Sequence, residues 1–176
     1  VTCGYIALVG RPNVGKSTLL NQILRQKLSI TSRKPQTTRH TIRGIVTEHG
    51  CQMVYVDTPG MHRGGKKHMN RLMNQAAEAT LYDVDVIVFV VEGTHFTDDD
   101  ARVLECIKKT DTPCVLVVNK VDQIADKNTL LPCLEHMSQQ HDFLSIVPLS
   151  AKTNVGVADL EAVLKPLMPE GPHLFD

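Results

Sequence analysis

Six short runs of apolar, mostly β-branched residues recur along the chain, at Tyr5–Val9, Ile42–Thr47, Gln52–Val56, Val84–Val91, Cys114–Val118 and Ser145–Leu149. Between most of them the apolar positions fall at helical spacing, over Lys16–Gln26, Lys66–Thr80, Asp98–Lys109, Thr129–His141 and Val157–Leu167. Alternating strands and helices predict a parallel sheet with helices on both faces. Strands buried on both sides should read as unbroken apolar runs. Val86-Ile87-Val88-Phe89-Val90-Val91 and Val115-Leu116-Val117-Val118 do so. The second and third runs are separated only by Glu48-His49-Gly50-Cys51, too short for a helical crossover, so they should form an antiparallel hairpin at one edge.

Sheets of this kind bind ligands beyond the carboxyl ends of their strands. Such an end carries Gly10-Arg11-Pro12-Asn13-Val14-Gly15-Lys16-Ser17, between the first strand and the helix opening at Thr18-Leu19-Leu20. The spacing G-x-x-x-x-G-K-[ST] in that context reads as a phosphate-binding P-loop. Glycines let backbone N–H groups converge on a phosphate, and a helix N-terminus adds partial positive charge. Lys16 would reach the outer phosphates, and the Ser17 hydroxyl would ligate magnesium. An ordinary strand-turn-helix, with Gly15 only tightening the turn, is the bland alternative.

Three further signals sit at strand ends. Asp57-Thr58-Pro59-Gly60 pairs an aspartate able to hold magnesium through water with a glycine N–H able to meet a terminal phosphate. Alone that pattern is weak, since both residue types are common in turns. Asn119-Lys120-Val121-Asp122 is more selective. A carboxylate at Asp122 accepts from the two N–H donors on one edge of guanine, a donor pair that adenine lacks. Ser150-Ala151-Lys152 can offer a backbone N–H to the guanine oxygen and a side chain against the ring. Together the four signals predict a guanine-nucleotide P-loop NTPase: a six-stranded, mostly parallel α/β sheet with one antiparallel edge hairpin. A P-loop ATPase or small-molecule kinase conflicts with Asn119-Lys120-Val121-Asp122.

Composition adds bounds. The chain has 176 residues, the size of one domain, with 19 basic and 19 acidic residues, so net charge names no partner. Between Arg25 and Arg43 the basic residues Arg25, Lys27, Arg33, Lys34, Arg39 and Arg43 occur without an acid, whereas Asp98-Asp99-Asp100 tips the other way. A solvated face accounts for the basic run as well as a nucleic-acid contact does. Five cysteines form no C-x-x-C pair and eight histidines show no zinc spacing, which suggests core thiols in a cytoplasmic protein and histidines mostly at the surface. No apolar run approaches the length of a membrane span, and no signal peptide is expected. The chain opens at Val1 rather than methionine, which suggests a shortened N-terminus.

The boxes resemble those of the translation-factor-related GTPases, and the longer matches resemble the Era family of bacterial ribosome-assembly GTPases. They are Gly10–Asn21, Ser29–His40, Tyr55–Gly60, Asn70-Arg71-Leu72-Met73-Asn74 and Val90-Val91-Glu92-Gly93-Thr94. The nucleotide boxes are shared with the Der and tRNA-modification GTPases; Ser29–His40 is what points to Era. The resemblance implies a GTP-hydrolysing switch acting in small-subunit and 16S rRNA maturation. GTP, GDP and Mg²⁺ would be bound by Asn13, Val14, Gly15, Lys16, Ser17, Thr18, Asp57, Gly60, Asn119, Lys120, Asp122, Ser150, Ala151 and Lys152. Ser17, Asp57 and Thr38 would hold the metal, with Thr37 as the alternative to Thr38, and Lys16, Thr38 and Gly60 would act in catalysis. Gln36-Thr37-Thr38-Arg39-His40 looks like the effector box of a first switch, and Met61–Lys67 reads as a second.

Where Ras-like enzymes place a water-orienting glutamine, this chain has Met61. Slow intrinsic hydrolysis follows as an expectation, and a nucleotide-sensing interaction module with negligible turnover stays open beside it. In related GTPases an asparagine at the Asn13 position binds potassium; side-chain bonding within the loop explains Asn13 equally well. The family's C-terminal KH domain, which contacts 16S rRNA, has no G-x-x-G counterpart after Pro169. Residues 1–169 are therefore expected to form a monomeric GTP-binding domain, and 170–176 the start of a linker to an RNA-binding domain outside this chain. No DNA partner is implied. The resemblance also implies a cytoplasmic protein with peripheral membrane association.

Overall fold

The computed structural model describes residues 1–27, 40–58, 77–93 and 95–175. Six strands form one sheet: β1 (Thr2–Val9), β2 (Ile42–Glu48), β3 (Cys51–Val56), β4 (Val86–Glu92), β5 (Cys114–Asn119) and β6 (Ser145–Pro148). Their order is β2-β3-β1-β4-β5-β6. All neighbours are parallel except β2 and β3, the expected edge hairpin. His49 (φ 50°) and Gly50 (φ 77°) make its two-residue turn, and positive φ at both central positions matches the twist of the paired strands.

The described helices are α1 (Lys16–Lys27), α2 (Glu78–Tyr82), α3 (Asp98–Lys108), α4 (Leu130–Ser138) and α5 (Val157–Leu164). Strand residues alternate between two cores. Ala7, Val9, Val54, Val56, Ile87 and Phe89 meet Leu81 of α2 and Val103, Leu104 and Ile107 of α3. Ile6, Leu8, Met53, Tyr55, Val88 and Val90 meet Leu19, Leu20 and Ile23 of α1 and Leu160 and Leu164 of α5. Burial on both faces is why these strands read as continuous apolar runs.

Boundaries differ from expectation for local reasons. The helix expected over Lys66–Thr80 lies mostly outside the described residues, and its described end, α2, runs to Tyr82. Pro166 closes α5 early and begins a separate 3₁₀ turn, Lys165–Leu167, because proline has no N–H to continue the ladder. Strand β4 starts at Val86 rather than Val84, because the Asp85 carboxylate accepts from the Tyr5 N–H (2.7 Å) at the sheet's margin. Among the described histidines His40 alone is buried, with its ring 5.2 Å from that of Tyr5 and its Nε2 3.4 Å from Asp83. All five cysteines are free thiols. No described helix is long and apolar enough to cross a membrane.

Candidate nucleotide-binding site

The polar signals converge at the carboxyl ends of β1, β3, β5 and β6. Between β1 and α1 the loop turns through Asn13 (φ 68°) and Gly15 (φ 100°). A Cβ at Gly15 would lie 2.2 Å from Asn119 Nδ2, so this backbone has room only for glycine. Helix α1 starts at Lys16 with no acid in its first turn, leaving its leading N–H groups free of a competing carboxylate. A cleft of about 380 Å³ is lined by Pro12, Asn13, Gly15, Lys16, Ser17, Thr18 and Lys120, which joins the P-loop to the base-reading segment.

Lys16 donates to the Gly10 carbonyl. Burial pushes its ammonium down to about 8, with the Asp57 charge raising it and Arg43 lowering it further. Lys16, Ser17, Arg43, Asp57 and Thr58 line one recess. Asp57 Oδ1 lies 3.5 Å from Arg43 Nη1, and the Asp57 N–H donates to Thr41 O (2.8 Å). The buried Thr58 hydroxyl donates to Leu8 O (3.3 Å), tying the start of this box to β1. An exposed serine hydroxyl and a partly exposed carboxylate in one recess fit a hard cation that takes oxygen ligands and keeps water.

The half expected to read the base is built around Asn119, which is buried. Its Nδ2 donates to Val14 O (2.8 Å) and its Oδ1 accepts from the Ala151 N–H (3.0 Å), so one carboxamide joins three of the predicted boxes. Lys120 sits at φ 64°, and its ammonium donates to Asn13 O (3.0 Å). Asp122 is exposed, and its Oδ1 accepts from the Ser150 hydroxyl (2.7 Å), which orients the carboxylate. The Ser150 N–H goes to Val155 O and that of Ala151 to Asn119, so among the described residues the Lys152 N–H is the one of this triplet without a hydrogen bond. The Asn13 carboxamide is exposed and, among the described residues, makes no hydrogen bond within the loop. Thr37, Thr38, Arg39, Gly60, Met61 and the rest of both expected switches lie outside the described residues.

Sequence reasoning passed over two contributors. Arg43, counted only within a basic run, faces Asp57. Glu92, at the carboxyl end of β4 and in register with Asn119, accepts from both Arg11 and Lys120. The strand-end rule that located the other boxes would have located Glu92 as well.

A family model described as 50S ribosome-binding GTPase matches residues 5–120. The chain belongs to that family of GTPases. Within it the likeness runs to Era. The GTPase Era of Yersinia pestis (strain Pestoides F) is 54% identical over 173 residues, which is 98% of this chain and 57% of that protein. The GTPase Era of Yersinia pseudotuberculosis (serotype O:1b, strain IP 31758) matches to the same extent. The chain thus spans little more than half the length of these relatives. Two crystal structures agree with it over 100% of its length and 60% of theirs, each at 34% identity. One is Era in complex with MgGDPNP and a segment of 16S ribosomal RNA (TM-score 0.80). The other is a variant of Aquifex aeolicus Era bound to GDP and tetrafluoroaluminate (TM-score 0.78).

Proposed function

We propose that this chain is the GTP-binding domain of an Era-type switch, which binds GTP and GDP with Mg²⁺ and hydrolyses GTP slowly. The observation that carries this reading is Asn119, whose single side chain holds the P-loop and the Ser150-Ala151-Lys152 loop around one cleft. In this reading the leading amides of α1 and Lys16 take the phosphate charge, and Ser17 and Asp57 hold magnesium. Bound there, magnesium would neutralise charge developing on the terminal phosphates. Asp122, oriented by Ser150, accepts from the guanine edge. Thr38 would complete the metal's ligands and the Gly60 N–H would meet the γ-phosphate; slow turnover is expected because Met61 has no donor to orient water. Asn13 favours potassium as a catalytic ion, since its exposed amide is not committed to the loop.

The wider role is carried by likeness. Era has been crystallised with 16S ribosomal RNA, and we extend small-subunit rRNA maturation to the protein from which this domain comes. The family's description names the 50S subunit instead; the Era likeness spans the whole chain, whereas the family model spans residues 5–120, so the proposal follows Era. RNA affinity is assigned chiefly to the KH domain that the Era resemblance implies. Cytoplasmic placement with peripheral membrane association rests on resemblance alone.

The test is a change of base preference. Asp122→Asn should cost GTP affinity by about 100-fold and raise xanthosine triphosphate affinity, read by competition binding. Unchanged preference would break the guanine assignment. Phosphate release by the unmodified domain with Mg²⁺, in potassium and in sodium, separates a slow enzyme from a module that does not turn over, and equal rates in the two salts would remove potassium from the mechanism.

A further inference from the structure

Four side chains outside the predicted boxes' chemistry, or not explained by it, form one ionic chain beside the nucleotide cleft. Glu92 Oε2 accepts from Lys120 Nζ (3.3 Å) and from Arg11 Nη2 (3.2 Å) at the same oxygen. Arg11 Nε turns the other way, to Asp100 Oδ2 (3.2 Å). Asp100 is fully buried and is fixed in a capping box at the start of α3, where its carboxylate accepts from the Thr97 N–H (2.8 Å) and the Thr97 hydroxyl donates to it (3.0 Å). Glu92 itself is held by the sheet, in register with Asn119, with the Gly93 N–H on Asn119 O (2.7 Å). Two cations and two carboxylates thus balance. Burial alone would push the Glu92 carboxyl up, but the hydrogen bonds and charges of Lys120 and Arg11 hold it below the usual range.

Lys120 and Asn13 both stand in the left-handed region, where non-glycine residues need surroundings that hold them. They are joined by the Lys120 ammonium on Asn13 O (3.0 Å). Remove the Glu92 charge and that ammonium faces the Arg11 guanidinium with no negative charge between them. Repulsion would then draw Lys120 off the P-loop carbonyl, and its stem away from the cleft that it lines.

We infer that Glu92 is a positioning residue for guanine-nucleotide binding: it pins Lys120 across the P-loop and balances Arg11, so the base-contacting lysine is preorganised by β4 and α3. The inference rests on the guanine-nucleotide reading above. Asp100 anchors the far end and acts through Arg11, so the base site is tied to α3 by charge rather than by packing alone.

The experiment is a double-mutant cycle on the release of a fluorescent GDP (mant-GDP) in the presence of Mg²⁺, followed by stopped flow. Glu92→Gln keeps the shape and removes the charge; release should quicken about tenfold. Lys120→Met should quicken it at least as much, and the double variant should release no faster than Lys120→Met alone, because Glu92 acts through Lys120. Glu92→Asp, shorter but charged, should recover part of the slow release. A wild-type rate in Glu92→Gln, or losses that simply multiply in the double variant, would overturn the inference. If the unmodified domain fails to bind mant-GDP, the guanine reading falls and this inference with it, so the two failures are told apart.

Discussion

At the amino ends of the strands one neutral side chain does what a network of charges does at the carboxyl ends. Gln52, near the start of β3, is wholly buried. Its Nε2 donates to Phe175 O (2.7 Å) and to Thr47 Oγ1 (2.9 Å), and its Oε1 accepts from the Leu174 N–H (2.9 Å) and the Phe175 N–H (3.1 Å). Residues 169–175 lie against this end of the sheet. The Cys3 N–H donates to Pro169 O (3.0 Å), the Gly171 N–H to Val1 O (3.2 Å), and His173 lies 3.1 Å from Gly50 O. At the other end, Lys16, Ser17, Asp57, Lys120 and Asp122 line clefts or face outward; ion pairs hold Asp57 and Lys120, and hydrogen bonds orient Lys16 and Asp122. A fully satisfied neutral amide adds stability without offering anything to a ligand, whereas charged groups held at a cleft keep donors and acceptors available for one.

The contrast can be broken at Gly15. Gly15→Ala places a methyl group against Asn119 Nδ2 at φ 100°, so it should unseat the carboxamide that joins the boxes. Nucleotide affinity should fall by about 3 kcal/mol, on the order of a hundredfold, by calorimetry. GDP bound as tightly as before would show that Asn119 does not organise the cleft.

At the opposite end, Gln52→Leu should remove the acceptor of the Leu174 and Phe175 N–H groups and the donor to Phe175 O and Thr47 Oγ1. A loss of about 2 kcal/mol is expected, lowering the melting temperature by roughly 4–8 °C, with faster amide exchange at both residues. GDP release should stay at the wild-type rate. A changed release rate would mean that the two ends of β3 are not independent.

The smallest effect concerns pH. With Lys16 pushed down to about 8, the free domain loses this proton near pH 8, while a bound phosphate raises the value. Its contribution to affinity is therefore complete below about pH 8 and declines as pH rises from there, by at most about tenfold between pH 8 and 9. A dissociation constant for GDP that stays flat across that interval would show that the ammonium is not the phosphate partner.

The stretch over 170–176, expected to begin a linker, makes contacts that local pattern does not carry. Pro169, Gly171 and Pro172 end a helix and read as spacer, and Leu174 and Phe175 beyond them are held by Gln52, more than a hundred positions earlier in the chain. In sequence Gln52 is one polar residue in an apolar run, and no periodicity announces partners 122 and 123 residues away. Asp100 misleads in the same way: among three aspartates it reads as a solvated charge, but capping geometry turns it inward to meet Arg11.

The sequence by itself determined the alternation of strands and helices, the edge hairpin and the four boxes. Each depends on residues close together in the chain, through side-chain period, turn chemistry or motif spacing. Tertiary structure decided what those boxes touch. Asn119 reaches Val14 and Ala151, Glu92 collects Arg11 and Lys120, and Gln52 holds the final residues, because parallel strands bring distant segments side by side. Once buried there, their polar groups had to find partners wherever the fold placed them.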